Sequence, residues 1–373
     1  MILNQDSGYL MIDIANAFNN AKYKVSLITG RLVKHNILLQ DSICLYRVPE
    51  YKKNNIYIQF ASSVFAFIKM IFLVWTKSKG SHLLIVTNPP FTPLIPFFVR
   101  NSFSLIFYDI YIESPANFLP CGKKSIMSKL WVWLHEKSLK KAKTIYTLTE
   151  GMKENLQKFI DNNKTITVVP IWTNSDFLKP IPKADNIFVK TNNLENKLIV
   201  MYSGTLGISN ELEILLDVAK KIKNKNVEFL IVGEGTGKIA LEKKGEELKL
   251  KNLKFLEWQP SEMLPYSLAA ADIAVVTLSR SNESNSIPSK FFNYLAVGAP
   301  ILSIAPESSE LVNLIDKYRV GKNFGNPHVN DIIDFIELLS DEKTHRGYSA
   351  RSLKAANDFT NINAEIFIEK LNY

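Results

Sequence analysis

Short runs of β-branched and aliphatic residues alternate with helix-length segments along almost the whole chain, and no other feature restricts the fold as much. The runs lie at 25–29, 43–48, 83–87, 105–108, 144–148 and 166–169, with a second series at 198–202, 227–232, 253–256, 273–276 and 301–304. Segments of helical length separate them, among them 211–223, 237–248 and 307–318. Strands spaced by helices pair side by side in parallel, because each crossover returns the chain to the same end of the sheet. The expected class is therefore α/β, with one doubly wound sheet for each series. A polar stretch at 172–196, containing Pro180 and Pro182, parts the two series and reads as a linker. The domains expected are 1–172 and 197–351, joined by a linker at 173–196, with a terminal helix at 352–373 packing back toward the first domain.

Composition narrows the functional classes. Apolar residues make up 46% of the 373 and charged ones 22%, a globular balance that sets aside disordered, collagen-like and coiled-coil classes. Two cysteines, Cys44 and Cys121, cannot build a disulfide framework or a thiolate zinc site. There is no Asp-x-Asp pair, and His35, His82, His135, His328 and His345 are scattered, so no metal centre is expected. His82, at a strand start, reads as a packing residue. The opening MILNQDSG has no basic segment followed by an apolar one, which points to the cytoplasm.

Charge is unevenly placed. Residues 1–180 hold 22 Lys and Arg against 11 Asp and Glu, a net of +11, whereas 181–373 hold 23 against 25, a net of −2. The first half is expected to meet something anionic, be it nucleic acid, a membrane surface or a phosphorylated lipid. Nucleic acid is disfavoured, because zinc-finger spacings and RNA-binding aromatic motifs are missing and the basic residues accompany apolar patches. The run VFAFIKMIFLVW at 64–75 is twelve residues long and includes Lys69, which is too short for the roughly 20 residues that span a bilayer. A second stretch at 83–99 is broken by Asn88, Pro89, Pro90, Pro93 and Pro96, and reads as a strand and an irregular loop. These segments form either a buried helix and strand or a face that dips aromatics into a membrane beside lysines.

Three places could carry chemistry. YSGTLG at 202–207 follows a strand and precedes a helix. Glycine there either lets backbone N–H groups approach a phosphate, with Ser203 and Thr205 adding hydroxyls, or serves a tight turn. Gly233, Glu234 and Gly235 repeat the arrangement after the next strand, with the same two readings. A polar loop beginning at Ser281 leads through Pro288 into a helix starting near Ser289 and Lys290. A lysine in a first helical turn opposes the dipole, which makes sense if it neutralises a bound anion; otherwise it is a solvated surface lysine. Asp109 follows a strand, with Glu113 four residues on. A carboxylate there orients or deprotonates an acceptor hydroxyl, or braces a loop.

FLIVGEG, FLEWQPSEMLPYSLAAADIAVVTL and IPSKFFNYLAVGAPIL resemble the C-terminal domain of glycosyltransferase family 4, of GT-B fold. The branch most resembled builds bacterial capsule, colanic acid and O-antigen polysaccharides. FYDIYIESP, the basic helix after it and IYTLTEGMKENL resemble the same branch, so the similarity spans most of 9–325. It implies two Rossmann-like domains facing a central cleft, the first binding the acceptor and the second the nucleotide-sugar. It also implies metal-independent transfer with retention at the anomeric carbon, from a donor that is UDP-linked in this branch, with no cofactor. The acceptor implied is a polyprenyl-diphosphate-linked saccharide, met by a peripheral protein on the anionic inner face of the cell membrane. The donor-binding positions implied are Gly8, Ser203, Gly204, Thr205, Gly233, Glu234, Trp258, Gln259, Pro260, Asn285, Ser286, Ile287, Pro288, Ser289, Lys290 and Asn293, with Asp109 and Glu113 catalytic.

The sequence departs from the family pattern in three ways. The usual pair of glutamates spaced E-x7-E is replaced by Asn285 and Asn293, which hydrogen-bond without charge assistance. Thr205 and Asn210 stand where a basic pair is usual. MILNQDSGYL leaves the first strand reduced, or else the chain begins late relative to its relatives. These departures leave a noncatalytic subunit that binds a nucleotide-sugar or a partner as an alternative, and the architecture leaves a nucleotide-sugar epimerase.

Overall fold

A computed structural model describes residues 1–33, 37–52, 56–87, 89–112, 125–161, 164–207, 211–280 and 287–371. The chain divides into two compact units, Met1–Pro170 with Asn361–Tyr373, and Ile171–Thr360.

The first unit runs β1 (Ile2–Leu3), β2 (Asp6–Ser7), α1 (Tyr9–Asn20), β3 (Ser26–Thr29), β4 (Arg31–Leu32), β5 (Cys44–Arg47), α2 (Ile56–Lys77) and β6 (Leu83–Val86). A 3-10 turn at Thr92–Phe97 follows, then β7 (Phe103–Phe107), α3 (Ile126–Lys141), β8 (Ile145–Thr147), α4 (Glu150–Gln157) and β9 (Ile166–Val168). Seven strands pair in parallel in the order β5-β3-β1-β6-β7-β8-β9, and β2 pairs with β4. Every residue of β6 and β7 is buried, as expected of strands covered on both faces. The reduced first strand is present: β1 has two residues yet sits between β3 and β6, with Ile2 opposite Leu27 and Leu84. Ile2 and Leu3 are fully enclosed, each worth about 1.5–3 kcal/mol, so burial rather than ladder length holds this strand.

The second unit contains α5 (Ile187–Thr191), β10 (Leu198–Ser203), α6 (Glu213–Lys221), β11 (Val227–Val232), α7 (Lys238–Glu247), β12 (Leu253–Leu256), α8 (Leu264–Ala269) and β13 (Ile273–Thr277). It continues with α9 (Lys290–Ala296), β14 (Ile301–Ile304), α10 (Glu310–Tyr318), β15 (Gly321–Asn323), α11 (Val329–Leu338) and α12 (Glu342–Ala356). Its sheet is also parallel, in the order β12-β11-β10-β13-β14-β15. The order reverses between β10 and β13, and such a switch point opens a crevice at the carboxyl ends of the strands. Val200, Tyr202, Phe229, Ile231, Ile273 and Leu302 contribute to one core beneath it.

The structure differs from the sequence reading at three places. The stretch expected as a linker is part of the second unit. There Asn186 caps α5 by accepting from the N–H groups of Phe188 and Val189, donates its amide to the Tyr266 carbonyl at 2.8 Å, and leaves Phe188 and Val189 buried. Five helical residues are too few to display a period. The terminal helix expected at 352–373 is broken: α12 ends at Ala356, and a 3-10 turn at Asn361–Glu365 leads to α13 (Ile366–Glu369) in the first unit. Tyr146 donates its hydroxyl to the Phe367 carbonyl there at 3.2 Å, and Phe367 is buried.

The third difference is α2. The segment was too short to cross a membrane when measured as an apolar run of twelve, but the helix has 22 residues. Tyr57–Lys77 is long and apolar enough to cross by length and composition, with mean hydropathy 1.8 and 39% of it buried. The sequence hid this length because Ser62 and Ser63 interrupt the apolar run while facing inward, each donating to the Gln59 carbonyl.

His82 plays the packing role expected of it. Its two ring nitrogens meet the hydroxyls of Ser102 and Ser104 at 2.9 and 3.0 Å, and burial pulls the imidazole down to about 4. The unfolded chain takes up this proton near 6.5, so the stabilisation is complete above that pH and is lost as pH falls toward about 4. Thermal melts of the wild type should therefore drop across this window, and His82→Asn should flatten that part of the profile.

Candidate active site

The turn after β10 is built by backbone packed on backbone. Gly204 donates its N–H to the Val232 carbonyl at 2.9 Å, and Leu206 donates to the Glu234 carbonyl at 2.8 Å. Gly233, at φ +139°, lies so close that an added Cβ would stand 2.0 Å from the Gly204 oxygen. At Gly233 the tight-turn reading is therefore sufficient. Gly204 is different: at φ +150°, its missing Cβ would stand 2.5 Å from the Nζ of Lys290.

Lys290 opens α9, which the chain enters after β13, across the switch point from β10. Its ammonium is 3.7 Å from the ring centroid of Tyr202, and among the described residues it has neither a carboxylate partner nor a hydrogen-bond acceptor. Burial pulls its pKa from the ordinary lysine value down to about 7. A buried charge without a counterion is costly, so this group favours an anion arriving from outside. The side chain is partly buried rather than fully solvated.

Asn293 lies one turn along the same face of α9. Its Oδ1 accepts from the hydroxyl of Thr173 at 2.7 Å. A glutamate at this place would offer only acceptors, whereas Asn293 offers a donor. Ser203 and Gly204 are partly buried and Thr205 is exposed at the head of the turn.

The other expected donor positions are more dispersed. Glu234 is exposed and pairs with Lys238 at 2.7 Å. Trp258 is 59% exposed beyond the end of β12, Gln259 donates to the Glu257 carbonyl at 2.9 Å, and Pro260 precedes a 3-10 turn. Ile287 is buried, while Pro288 and Ser289 accept the first backbone bonds of α9 from Phe291 and Asn293. The helix α9 has only seven residues and Ser289 makes no side-chain cap. Asn285, Ser286, Asn210 and Glu113 lie outside the described residues.

In the first unit, Asp109 stands two residues beyond β7, partly buried. Tyr111 donates its hydroxyl to the Asp109 Oδ2 at 2.7 Å, and burial together with that carboxylate pushes the Tyr111 phenol up. Gly8 precedes α1 with open space where a Cβ would stand, so packing does not require glycine there. Among the described residues no group of three His, Cys, Asp or Glu could hold a metal ion. Sequence reasoning missed Tyr202, Thr173 and Tyr111. Tyr202 could have been flagged as an aromatic immediately before a Ser-Gly turn, but nothing local marks Thr173, which is 120 residues from its partner.

Residues 183–353 match the family model of glycosyl transferases group 1. WbjE from Pseudomonas aeruginosa, by name a "Probable glycosyltransferase", is 23% identical over 291 residues, or 76% of this chain and 72% of that protein. WcaI from Escherichia coli K12, by name a "Putative colanic acid biosynthesis glycosyl transferase", is 28% identical over 203 residues, or 53% of this chain and 49% of that one. Among solved structures, HepE from Anabaena in complex with UDP-glucose matches with a TM-score of 0.73 at 15% identity, over 100% of this chain and 98% of that one. Two parallel α/β units of this kind define a GT-B protein. The second unit is a group 1 glycosyl transferase domain, and the chain is a glycosyltransferase.

Charge-assisted hydrogen bonds are worth about 1.5–3 kcal/mol, so removing the ammonium should weaken nucleotide diphosphate binding by roughly 10- to 100-fold. Calorimetric titration of Lys290→Ala with UDP should give that loss while the melting temperature stays near that of the wild type.

Proposed function

We propose that this chain transfers a sugar from a UDP-sugar, held by the second unit, to a lipid-linked saccharide at the inner face of the cell membrane, with retention at the anomeric carbon. The reaction belongs to the assembly of a surface polysaccharide. The observation that carries the donor half is the Lys290 ammonium, set against Tyr202 beside the Gly204 turn and without a carboxylate partner among the described residues. The complexes of HepE with UDP and with UDP-glucose support the nucleotide. The names of WcaI, in colanic acid biosynthesis, and of the structural neighbour WaaG, in lipopolysaccharide biosynthesis, support the product class.

As the bond to the sugar breaks, negative charge grows on the leaving diphosphate. Lys290, with the hydroxyls of Ser203 and Thr205, neutralises that charge, the role a divalent ion fills in other transferases. Asp109, which accepts from the Tyr111 hydroxyl, orients or deprotonates the acceptor hydroxyl. Incubation with UDP-sugars and a polyprenyl-diphosphate saccharide, in the presence of chelator, should yield extended lipid and UDP. Asp109→Asn should lower kcat by at least about tenfold with little change in the KM for the donor. Binding of UDP without turnover on any acceptor would leave a nucleotide-binding subunit instead.

The acceptor half rests on a surface of the first unit. Phe65, Ile68, Phe72 and Trp75 on α2 and Leu130 and Trp133 on α3 are each about half exposed or more. The 3-10 turn between the two helices joins them: Trp75 donates to the Phe98 carbonyl at 2.9 Å, and Phe91 packs edge-on against Trp131. Lys137 lies 3.7 Å over Trp133, and Lys129, Lys140 and Lys141 are exposed on the same helix. Aromatics flanked by lysines suit the headgroup layer of an anionic bilayer, where each lysine gains about 1 kcal/mol. Co-sedimentation with phosphatidylglycerol vesicles should be strong at low salt, weaken as salt rises, and fall several-fold in Phe65→Ser with Phe72→Ser.

A further inference from the structure

Tyr202 is fully buried at the penultimate position of β10, and it makes two contacts that converge on the donor turn. Its hydroxyl donates to the Thr205 carbonyl at 2.8 Å, which closes the turn over residues 203–205. Its ring face receives the Lys290 ammonium at 3.7 Å. The titratable groups set against Lys290 are Tyr202 from β10 and, behind it, Tyr294 from α9; neither is a carboxylate. Glu283, in the loop before α9, lies outside the described residues.

We propose that Tyr202 is the positioning residue of the donor site: its ring keeps the Lys290 ammonium protonated and aimed across Gly204, and its hydroxyl sets the turn that the diphosphate meets. This rests on the donor reading above. Burial penalises the charged form of Lys290 and draws it down to about 7, while the face of an aromatic ring attracts a cation and offsets part of that penalty. An aspartate or glutamate in the ring's place would hold the charge more strongly but would also compete with the diphosphate for it. A ring holds the cation without saturating its hydrogen-bond donors, so the three N–H groups stay available. The absence of a Cβ at Gly204 keeps the approach open.

The test is the affinity for UDP-glucose, whose diphosphate keeps a constant charge from about pH 6 to pH 9. It is measured across that range on the full chain for the wild type, Tyr202→Phe, Tyr202→Met and Tyr202→Met with Lys290→Arg. Loss of the ring in Tyr202→Met should weaken binding about tenfold at pH 8 and much less at pH 6, because acid recharges the lysine. Tyr202→Phe keeps the ring and should keep the pH profile of the wild type, with a lower kcat from the loosened turn. Arginine stays charged throughout, so the double variant should bind with little pH dependence. Equal weakening of Tyr202→Met at every pH, or a shifted profile in Tyr202→Phe, overturns the proposal and leaves the donor reading standing. Tyr202→Phe changes one hydroxyl, so it decides the matter even should Tyr202→Met fail to fold. A wild type that binds neither UDP nor UDP-glucose at any pH overturns the donor reading and this proposal with it.

Discussion

Because β10 pairs in parallel with β11 on one side and β13 on the other, the chain must leave all three strands over the same edge of the sheet. The turns that follow β10 and β11 are then forced against each other, and the N–H of Gly204 meets the Val232 carbonyl where side chains would not fit. The exit from β13 is carried away from them by the reversal of strand order, and α9 begins on the opposite side of the gap. Lys290 thus reaches Gly204 from a segment 86 positions later in the chain. No local preference puts these residues together; sheet topology does.

The electrostatics of that gap follow from what is missing as much as from what is present. An ammonium taken out of water loses hydration energy, and a protein ordinarily restores it with a carboxylate. Here the described surroundings of Lys290 supply an aromatic ring, a weaker substitute. The free site is consequently held slightly above its electrostatic minimum, and an anion that enters lowers it. The same logic bears on Asn293. With its oxygen engaged by Thr173, its remaining valence is a donor, which suits a ligand rich in oxygen acceptors and adds no negative charge beside the phosphates.

How far the sequence reveals this depends on the range of the interaction. The strands were legible because parallel strands buried on both faces are nearly continuous apolar runs, as in VEFLIV of β11 and IAVVT of β13. Gly204 and Lys290 stand out in the sequence because the chemistry of each suits a phosphate, and the structure brings the two together. The five-residue α5 was not, since a helix shorter than two turns leaves no period and owes its existence to Asn186 and to the burial of Phe188. Nor was the true length of α2, because its inward serines are paired within their own helix and look like solvent-facing polar residues in the sequence. Tyr202 read as one more apolar strand residue. Only the structure turns its ring toward Lys290.

The two units present their cations by opposite means, and the difference is one of dielectric. In the second unit, whose half of the sequence is close to neutral, a single partly buried lysine has a large effect because little water screens it. In the first, a net charge of +10 is carried by lysines that are largely exposed among the described residues, each contributing little and each screened within roughly 10 Å at ordinary salt. A buried cation selects one ligand in one orientation, whereas a field of exposed cations attracts a charged surface without fixing a pose. A transferase that must hold a small diphosphate exactly and a large acceptor surface only loosely needs both. Under the proposed function the uneven division of charge along this chain answers that pair of demands, and added salt should weaken contact with the surface well before it weakens contact with the donor.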